Sequence, residues 1–249
     1  MALSHNAAIA LRIEKGQFAW RKNFWESYGL RVIVFILINL SILSFIHYFS
    51  NGLGLAYNDA RSHLDIGRRV VEGLNPGAAQ LGSVWLPLTH LLMALTIWSD
   101  FMWHSGLAGA LQSMIAFVAT GALIYLFLKE LDVDVIGRLA AVALFAVNIN
   151  VLYLQSTAMT ELMLLFTMTA GAYFLLRWWK TENFLFLIQA AFWVMLSTLV
   201  RYDGWFLFVF ASALVGVYVW RRYGYKVSEG NVVLFATLAG FGVALWLFW

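Results

Sequence analysis

Three short stretches carry side chains able to do chemistry in a chain that is otherwise poor in them. The first is Asn58-Asp-Ala-Arg-Ser-His63, where Asp59 and His63 stand four residues apart. On a helix that spacing puts both on one face, where the carboxylate could act as a general base or orient an acceptor nucleophile. It could equally be a plain helix cap, accepting backbone N–H bonds. The second is Glu161, preceded by Gln155-Ser-Thr-Ala-Met-Thr160 and followed at once by Leu162-Met-Leu-Leu-Phe166. An acid at the mouth of an apolar helix, with no basic residue nearby in sequence, is either solvated at the interface or needs a partner. A metal ion, an arginine from another loop or a polar substrate would serve. The third is Arg201-Tyr-Asp-Gly-Trp205. The Arg201 guanidinium presents forked donors suited to a phosphate or pyrophosphate, and a local Arg201–Asp203 pair at a tight turn is the competing use.

Around these, Arg61, His63, Tyr202 and Asp203 complete the candidate substrate-binding set. A divalent metal ion is conceivable on Asp59 and Glu161, with His63, His90 and His104 as further donors, although no tight ligand spacing such as His-Glu-x-x-His is present. Asn148 and Asn150 are expected to be helix-packing hydrogen bonders, and Trp85, Trp98, Trp103 and Trp205 interface anchors.

The elements that must position these residues are membrane elements. Apolar residues make up 62% of the 249 and charged residues only 12%, against about a quarter charged in a soluble domain. The expected class is an all-α integral membrane protein. With no cysteine, disulfides and thiolate metal sites are excluded. About 30 mostly polar or amphipathic residues precede the first apolar run, without a small-residue cleavage motif after it, so the first helix is expected to stay as an anchor. The chain stops at Leu247-Phe248-Trp249, in or just beyond an apolar run, and reads as the front part of a longer protein.

Apolar runs fall at roughly 32–49, 84–98, 105–128, 136–154, 161–176, 184–200, 204–220 and 231–249. The run from Val84 to Trp98 is 15 residues long and is interrupted by Pro87, Thr89 and His90; a stretch so short suits a re-entrant or interfacial segment. Charge decides between the alternatives. If 84–98 does not span, twelve Lys and Arg residues face inward and only Arg61, Arg68, Arg69 and Arg201 face outward. If it spans, the split becomes six inside against ten outside, contrary to the positive-inside rule. The expected topology therefore has about seven transmembrane helices, a cytoplasmic N-terminal segment at 1–30, and a first outer loop at about 50–104. Asp59, Glu161 and Asp203 then share the outer surface without this having been imposed.

Within that loop, Asn58 or Asp59 is expected to cap an interfacial helix reaching about Leu74. Ala60, Leu64, Gly67, Val71 and Leu74 form one side, and Arg61–Asp65, Asp65–Arg69 and Arg68–Glu72 stand at ion-pairing distance on the other. Asn75-Pro76-Gly77 ends it.

Signatures of soluble enzymes are absent: no Walker A loop, dinucleotide glycine motif, Gly-x-Ser-x-Gly elbow or zinc-protease helix. A basic, aromatic-interleaved surface for nucleic acid is also missing. An acid just after the first span, an interfacial helix, a second acid at the next outer loop and an arginine in the following outer turn together resemble the membrane-integral C-type glycosyltransferases. More narrowly, Asn58-Asp-Ala-Arg61 with Gln80-Leu-Gly-Ser-Val-Trp-Leu-Pro87 is similar to a bacterial or archaeal branch related to the protein O-mannosyltransferase and aminoarabinose-transferase groups. Met159-Thr-Glu161 and Arg201-Tyr-Asp-Gly-Trp-Phe206 are similar to its later motifs. The resemblance covers essentially the whole chain, read as a single transmembrane glycosyltransferase module over 1–249.

The resemblance implies transfer of a sugar from a polyprenyl-phosphate-linked donor to a lipid, glycan or protein acceptor on the outer face of the cell membrane. Asp59 would take the catalytic-acid position of the first outer loop and Glu161 the second acidic position. Arg201 would contact the donor phosphate, an assignment resting more on chemistry than on the family pattern. Family members usually continue with further helices, often followed by a soluble domain. Two other readings stand beside it: a flippase or transporter of lipid-linked sugars, and a truncated, non-catalytic module. Acids clustered at one surface, with no internal repeat, favour the enzyme over the transporter.

Overall fold

The computed structural model describes residues 2–81 and 84–248, with side chains from Phe24 onward. Gly82 and Ser83 of the Gln80–Pro87 stretch, Trp249, and the side chains of Arg12, Lys15, Arg21 and Lys22 lie outside the described residues.

The architecture is all-α, with no strand among the described residues. Helix α1 runs Ala2–Ser50 and the loop that follows holds α2 (Asn58–Val71), a single 3-10 turn at Ala78–Gln80, α3 (Leu88–Met93) and α4 (Asp100–His104). The remaining helices are α5 (Leu107–Glu130), α6 (Val135–Ala146), α7 (Ile149–Leu154), α8 (Glu161–Thr181), α9 (Phe184–Thr198), α10 (Asp203–Tyr223) and α11 (Tyr225–Phe248). Among the described residues, five segments are long and apolar enough to cross a membrane: Phe24–Ser50, α5, α8, α10 and α11. Their outward faces carry bare Phe35, Leu43, Ile115 and Phe210, as expected where lipid is the solvent. The molecule is a multi-pass α-helical membrane protein.

Two of the expected seven runs take other forms. The run at 136–154 is broken into α6 and α7, and Asn148 makes the second start: its side chain accepts from the backbone N–H groups of Asn150 (3.0 Å) and Val151 (3.4 Å). Asn148 is thus a cap, not a bond between helices. The run at 184–200 gives α9, 15 residues long.

Packing divides the bundle into two cores. One joins α1, α5, α6 and α8 through Leu37, Phe117, Tyr125, Val142 and Leu162. The other joins α8 to α11 through Trp178, Leu187, Val194, Val215 and Phe235. A third cluster lies under α2, where Ala60 and Leu64 meet Met93, Ile97, Ala108, Ala158 and Met159.

The bundle has two unlike ends. At one, the helix termini are laced by ion pairs: Glu26 with Lys129 (2.8 Å) and Arg138 (2.6 Å), Arg177 with Glu130 (3.3 Å), and Arg222 with Glu182 (2.7 Å). At the other lie α2, α3, α4, the 155–160 connector and the α9–α10 turn.

Candidate functional site

Helix α2 departs from its expected boundaries. Its cap is Tyr57, in an extended conformation with no side-chain capping bond, so Asn58 and Asp59 are inside the first turn. The helix stops at Val71, and Leu74 stands fully exposed beyond it. Of the three expected ion pairs, Arg61–Asp65 (3.2 Å) and Arg68–Glu72 form. Asp65–Arg69 does not, because the Asp65 carboxylate also accepts from the Trp103 indole N–H at 3.0 Å. Arg61 and Arg68 both lie over the Trp103 ring, 4.8 and 5.0 Å from its centre, and Arg68 reaches Asp100 at 2.6 Å. This cation–aromatic stack clamps α4 to the polar side of α2. Arg61, expected at the substrate, belongs to the clamp.

The opposite side of α2 carries Asp59 and His63. Asp59 is half-buried, and its carboxylate makes no hydrogen bond or ion pair among the described residues. His63 is 2% exposed and His90 is 0% exposed; their Nδ1 and Nε2 atoms approach to 2.9 Å. The Trp85 ring covers His63 at 4.7 Å between ring centres. Burial pushes the His63 imidazole down to about 4, against the opposing pull of Asp59, and Arg201 pushes in the same direction as burial. Burial, reinforced by His63 and Arg69, takes His90 down to about 3. Both rings are neutral at physiological pH.

Glu161 is positioned by a buried polar connector. Gln155, Ser156, Thr157 and Thr160 are all buried. Gln155 accepts from the Ser41 hydroxyl (2.6 Å) and donates to Ser156 Oγ (2.6 Å), and the Ser113 hydroxyl holds the Met159 carbonyl (3.0 Å). Ala158 sits so close to Gly109 that a side-chain carbon there would lie 2.3 Å from the Ala158 methyl. The connector is therefore wedged between α1 and α5 and delivers Glu161 to the start of α8. On the far side, Gly204 lets α10 start against the end of α9, since a side-chain carbon would meet the Ser197 carbonyl at 2.3 Å. That tight turn presents Arg201.

Arg201 is the hub of the end. Its Nη1 donates to Glu161 Oε1 (3.0 Å) and Thr160 Oγ1 (3.3 Å), and its Nε to Asp203 Oδ2 (3.2 Å). The two uses suggested for this residue are combined: the local pair with Asp203 exists, and the same guanidinium reaches Glu161 across forty residues of sequence. The second Glu161 oxygen, Oε2, is buried and has no hydrogen-bond partner among the described residues. Tyr202 is exposed and packs edge-on against Trp205 at 5.2 Å.

The loop is tied to this turn, because the Leu88 N–H donates to the Leu199 carbonyl (3.0 Å) and Leu88 packs on the core formed by Leu162 and Val200. Ala60, next to Asp59, packs with Ala158 and Met159. The charges of Asp59 and Arg201 are both felt at His63. Asp59, His63, Glu161, Arg201 and Asp203 thus gather at one end of the bundle. Arg61 lies on the other side of α2, and Tyr202 faces outward.

No family model, curated protein or solved structure matches this chain.

Among the described residues no three His, Asp or Glu side chains are grouped to hold a divalent cation. His63 and His90 engage each other, and His104 Nδ1 is turned to the Asp100 carbonyl at 2.8 Å. Three contributors escaped the sequence reading: His90 as the partner of His63, Trp85 as its cover, and Thr160 as a second hold on Arg201. The signal for the first was the place of His90 among Leu86, Leu88, Leu91 and Leu92 in a run too short to span; a buried imidazole needs a polar partner.

Proposed function

We propose that the chain is a glycosyltransferase that moves a sugar from a polyprenyl-phosphate-linked donor to a hydroxyl or amine of a lipid, glycan or protein acceptor. The observation carrying this is the pairing of an unengaged carboxylate, Asp59, with an arginine, Arg201, held at the same end of a membrane bundle by Glu161 and Asp203. The two charges have the right complementarity. The acceptor O–H or N–H bond breaks as its proton passes to the Asp59 carboxylate, and the new bond forms at the anomeric carbon. The bond from that carbon to the phosphate oxygen breaks, its electron pair stays on the phosphate, and Arg201 stabilises the charge that develops there. Glu161 holds Arg201 with one oxygen and offers the buried, unpartnered one to a sugar hydroxyl.

A lipid carrier needs lateral access, and the bundle has an open groove of about 460 Å³. It is lined by apolar side chains including Ile124, Leu128, Met168 and Leu207, the last one helical turn beyond Asp203. An isoprenoid tail is soluble in such a groove, which extends towards the ion-paired end, Leu128 adjoining Lys129; a carrier with its phosphate at Arg201 would enter it from the Leu207 side. In this reading α6–α7 and α9 complete seven crossings, residues 84–98 form a re-entrant lid, the N-terminus is cytoplasmic and the site faces outward across the cell membrane. The ion-paired end, where most of the basic residues collect, then lies inside.

Purified chain in proteoliposomes, given radiolabelled polyprenyl-phosphate hexose and a membrane-extract acceptor, is expected to move label from the carrier to the acceptor. Asp59→Asn is expected to abolish this at unchanged expression. Label crossing a sealed vesicle while still on its carrier would identify a flippase instead, and normal turnover by Asp59→Asn would remove the assignment.

A further inference from the structure

The tryptophans Trp85, Trp98, Trp103 and Trp205 all stand at the Asp59 end, and three of them spend their indole N–H inside the protein. Trp98 gives it to the Leu95 carbonyl, Trp103 to Asp65 and Trp205 to the Thr198 carbonyl, each at 3.0 Å. Trp85 does not. It is half-buried, its N–H reaches the surface, and that group makes no hydrogen bond among the described residues. One face of its ring meets His63, with 4.7 Å between ring centres and 47° between planes. No other ring or guanidinium stacks on it among the described residues. A plain interface anchor would not be seated on a buried histidine one helical turn from Asp59.

The groups around this ring narrow what could meet it. Asp59 carries a carboxylate with no bonded partner, and the charges of Asp59 and Arg201 both reach the His63 ring. Arg201 in turn holds Glu161, whose Oε2 is spare. The corner therefore offers one free N–H donor, two carboxylates with free acceptor oxygens and an open aromatic face. A phosphate has no use for the carboxylates, and an acyl chain has no use for either polar group. A polyhydroxylated ring uses all of them: hydroxyls donate to the carboxylates and accept from the indole, and C–H hydrogens meet the negative face of the π system.

We propose that Trp85 is the platform for a sugar ring, which lies on the face that His63 leaves open and accepts the indole N–H through one hydroxyl. That this sugar is the one transferred rests on the transferase reading; the platform does not.

The test uses the full chain in lipid nanodiscs, labelled with fluorotryptophan and followed by fluorine NMR. The Trp85 line is assigned by its loss in Trp85→Phe. Polyprenyl phosphate bearing glucose, mannose or galactose is added in turn, beside the same lipid without a sugar. At least one sugar-bearing lipid is expected to shift the Trp85 line saturably, and the bare carrier to leave it in place. An equal shift with the bare carrier, or none with any sugar, overturns the platform. In binding titrations with the lipid that shifts the line, Trp85→Leu is expected to lose about tenfold in affinity, as both stacking and donor go. Trp85→Phe keeps a ring face and should stay within about threefold. Neither variant should alter binding of bare polyprenyl phosphate, which also reports that the fold is intact; equal losses for both lipids contradict the proposal. A sugar-dependent Trp85 shift in a chain that transfers nothing counts against the transferase alone, and transfer at unchanged KM by Trp85→Leu counts against the platform alone.

Discussion

The two ends of the bundle use the same residue types to opposite purpose. At the basic end, Glu26 is gripped by Arg138, whose side chain is buried, and by Lys129, and Arg177 and Arg222 each hold an acid of their own. These carboxylates are answered within the protein and stitch helix termini together. At the other end the account does not close. Asp59 has no bonded partner among the described residues, one oxygen of Glu161 is buried and unanswered, and two histidines are kept neutral beside them. Stability alone would favour pairing or removing such groups. The basic end is not fully paired either, since Nε and Nη1 of Arg138 are buried without a partner among the described residues. What sets the other end apart is carboxylate oxygens left without a partner beside two neutral histidines, and that is where a ligand is to be expected.

That contrast can be broken by substitution. The largest effect is expected at Asp59: Asp59→Asn should lower sugar transfer by about a hundredfold or more, the range for loss of a general base, with the melting temperature unchanged. Glu26→Gln should do the reverse, lowering stability by about 2–3 kcal/mol because Arg138 is left buried and unpaired, with KM unaltered once folded protein is counted. Denaturation in mixed micelles beside the transfer assay separates the two. Arg201→Lys keeps the charge but loses the fork that serves Glu161 and Asp203 together, and is expected to reduce transfer about tenfold. Acidification sharpens the comparison further. The folded values of His63 and His90, about 4 and about 3, lie below the ordinary 6.5. The unfolded chain therefore binds more protons below pH 6.5, and stability is lost as pH falls from there towards 4 and 3. The slope approaches about 1.4 kcal/mol per pH unit for each ring. Melting curves across that range should flatten in a His63→Gln, His90→Gln double variant. Smallest is Trp103→Leu, which removes the stack on Arg61 and Arg68 and should cost about 1 kcal/mol without affecting transfer.

What the sequence disclosed was local. The amphipathic helix after the first span, the Arg61–Asp65 and Arg68–Glu72 spacings and the Arg201–Asp203 turn are relations within a few residues, and each is present. What stayed hidden acts through space. His63 meets His90 across 27 residues, Trp103 meets Asp65 across 38, and Arg201 meets Glu161 across 40, so no periodicity announces them. The early end of α2 and the α6–α7 break had another cause. Leu74 has nothing to pack against, and Asn148, set in an apolar run, caps a new helix instead of continuing the old one.

The most direct measurement is photo-crosslinking of the full chain in proteoliposomes with a polyprenyl-phosphate hexose carrying a diazirine on the sugar, followed by mass mapping. Adducts are expected on the segments around Asp59–His63, Glu161 and Arg201, suppressed by excess unlabelled lipid. Adducts confined to the Glu26–Arg138 end, or label spread evenly and not suppressed, would contradict this.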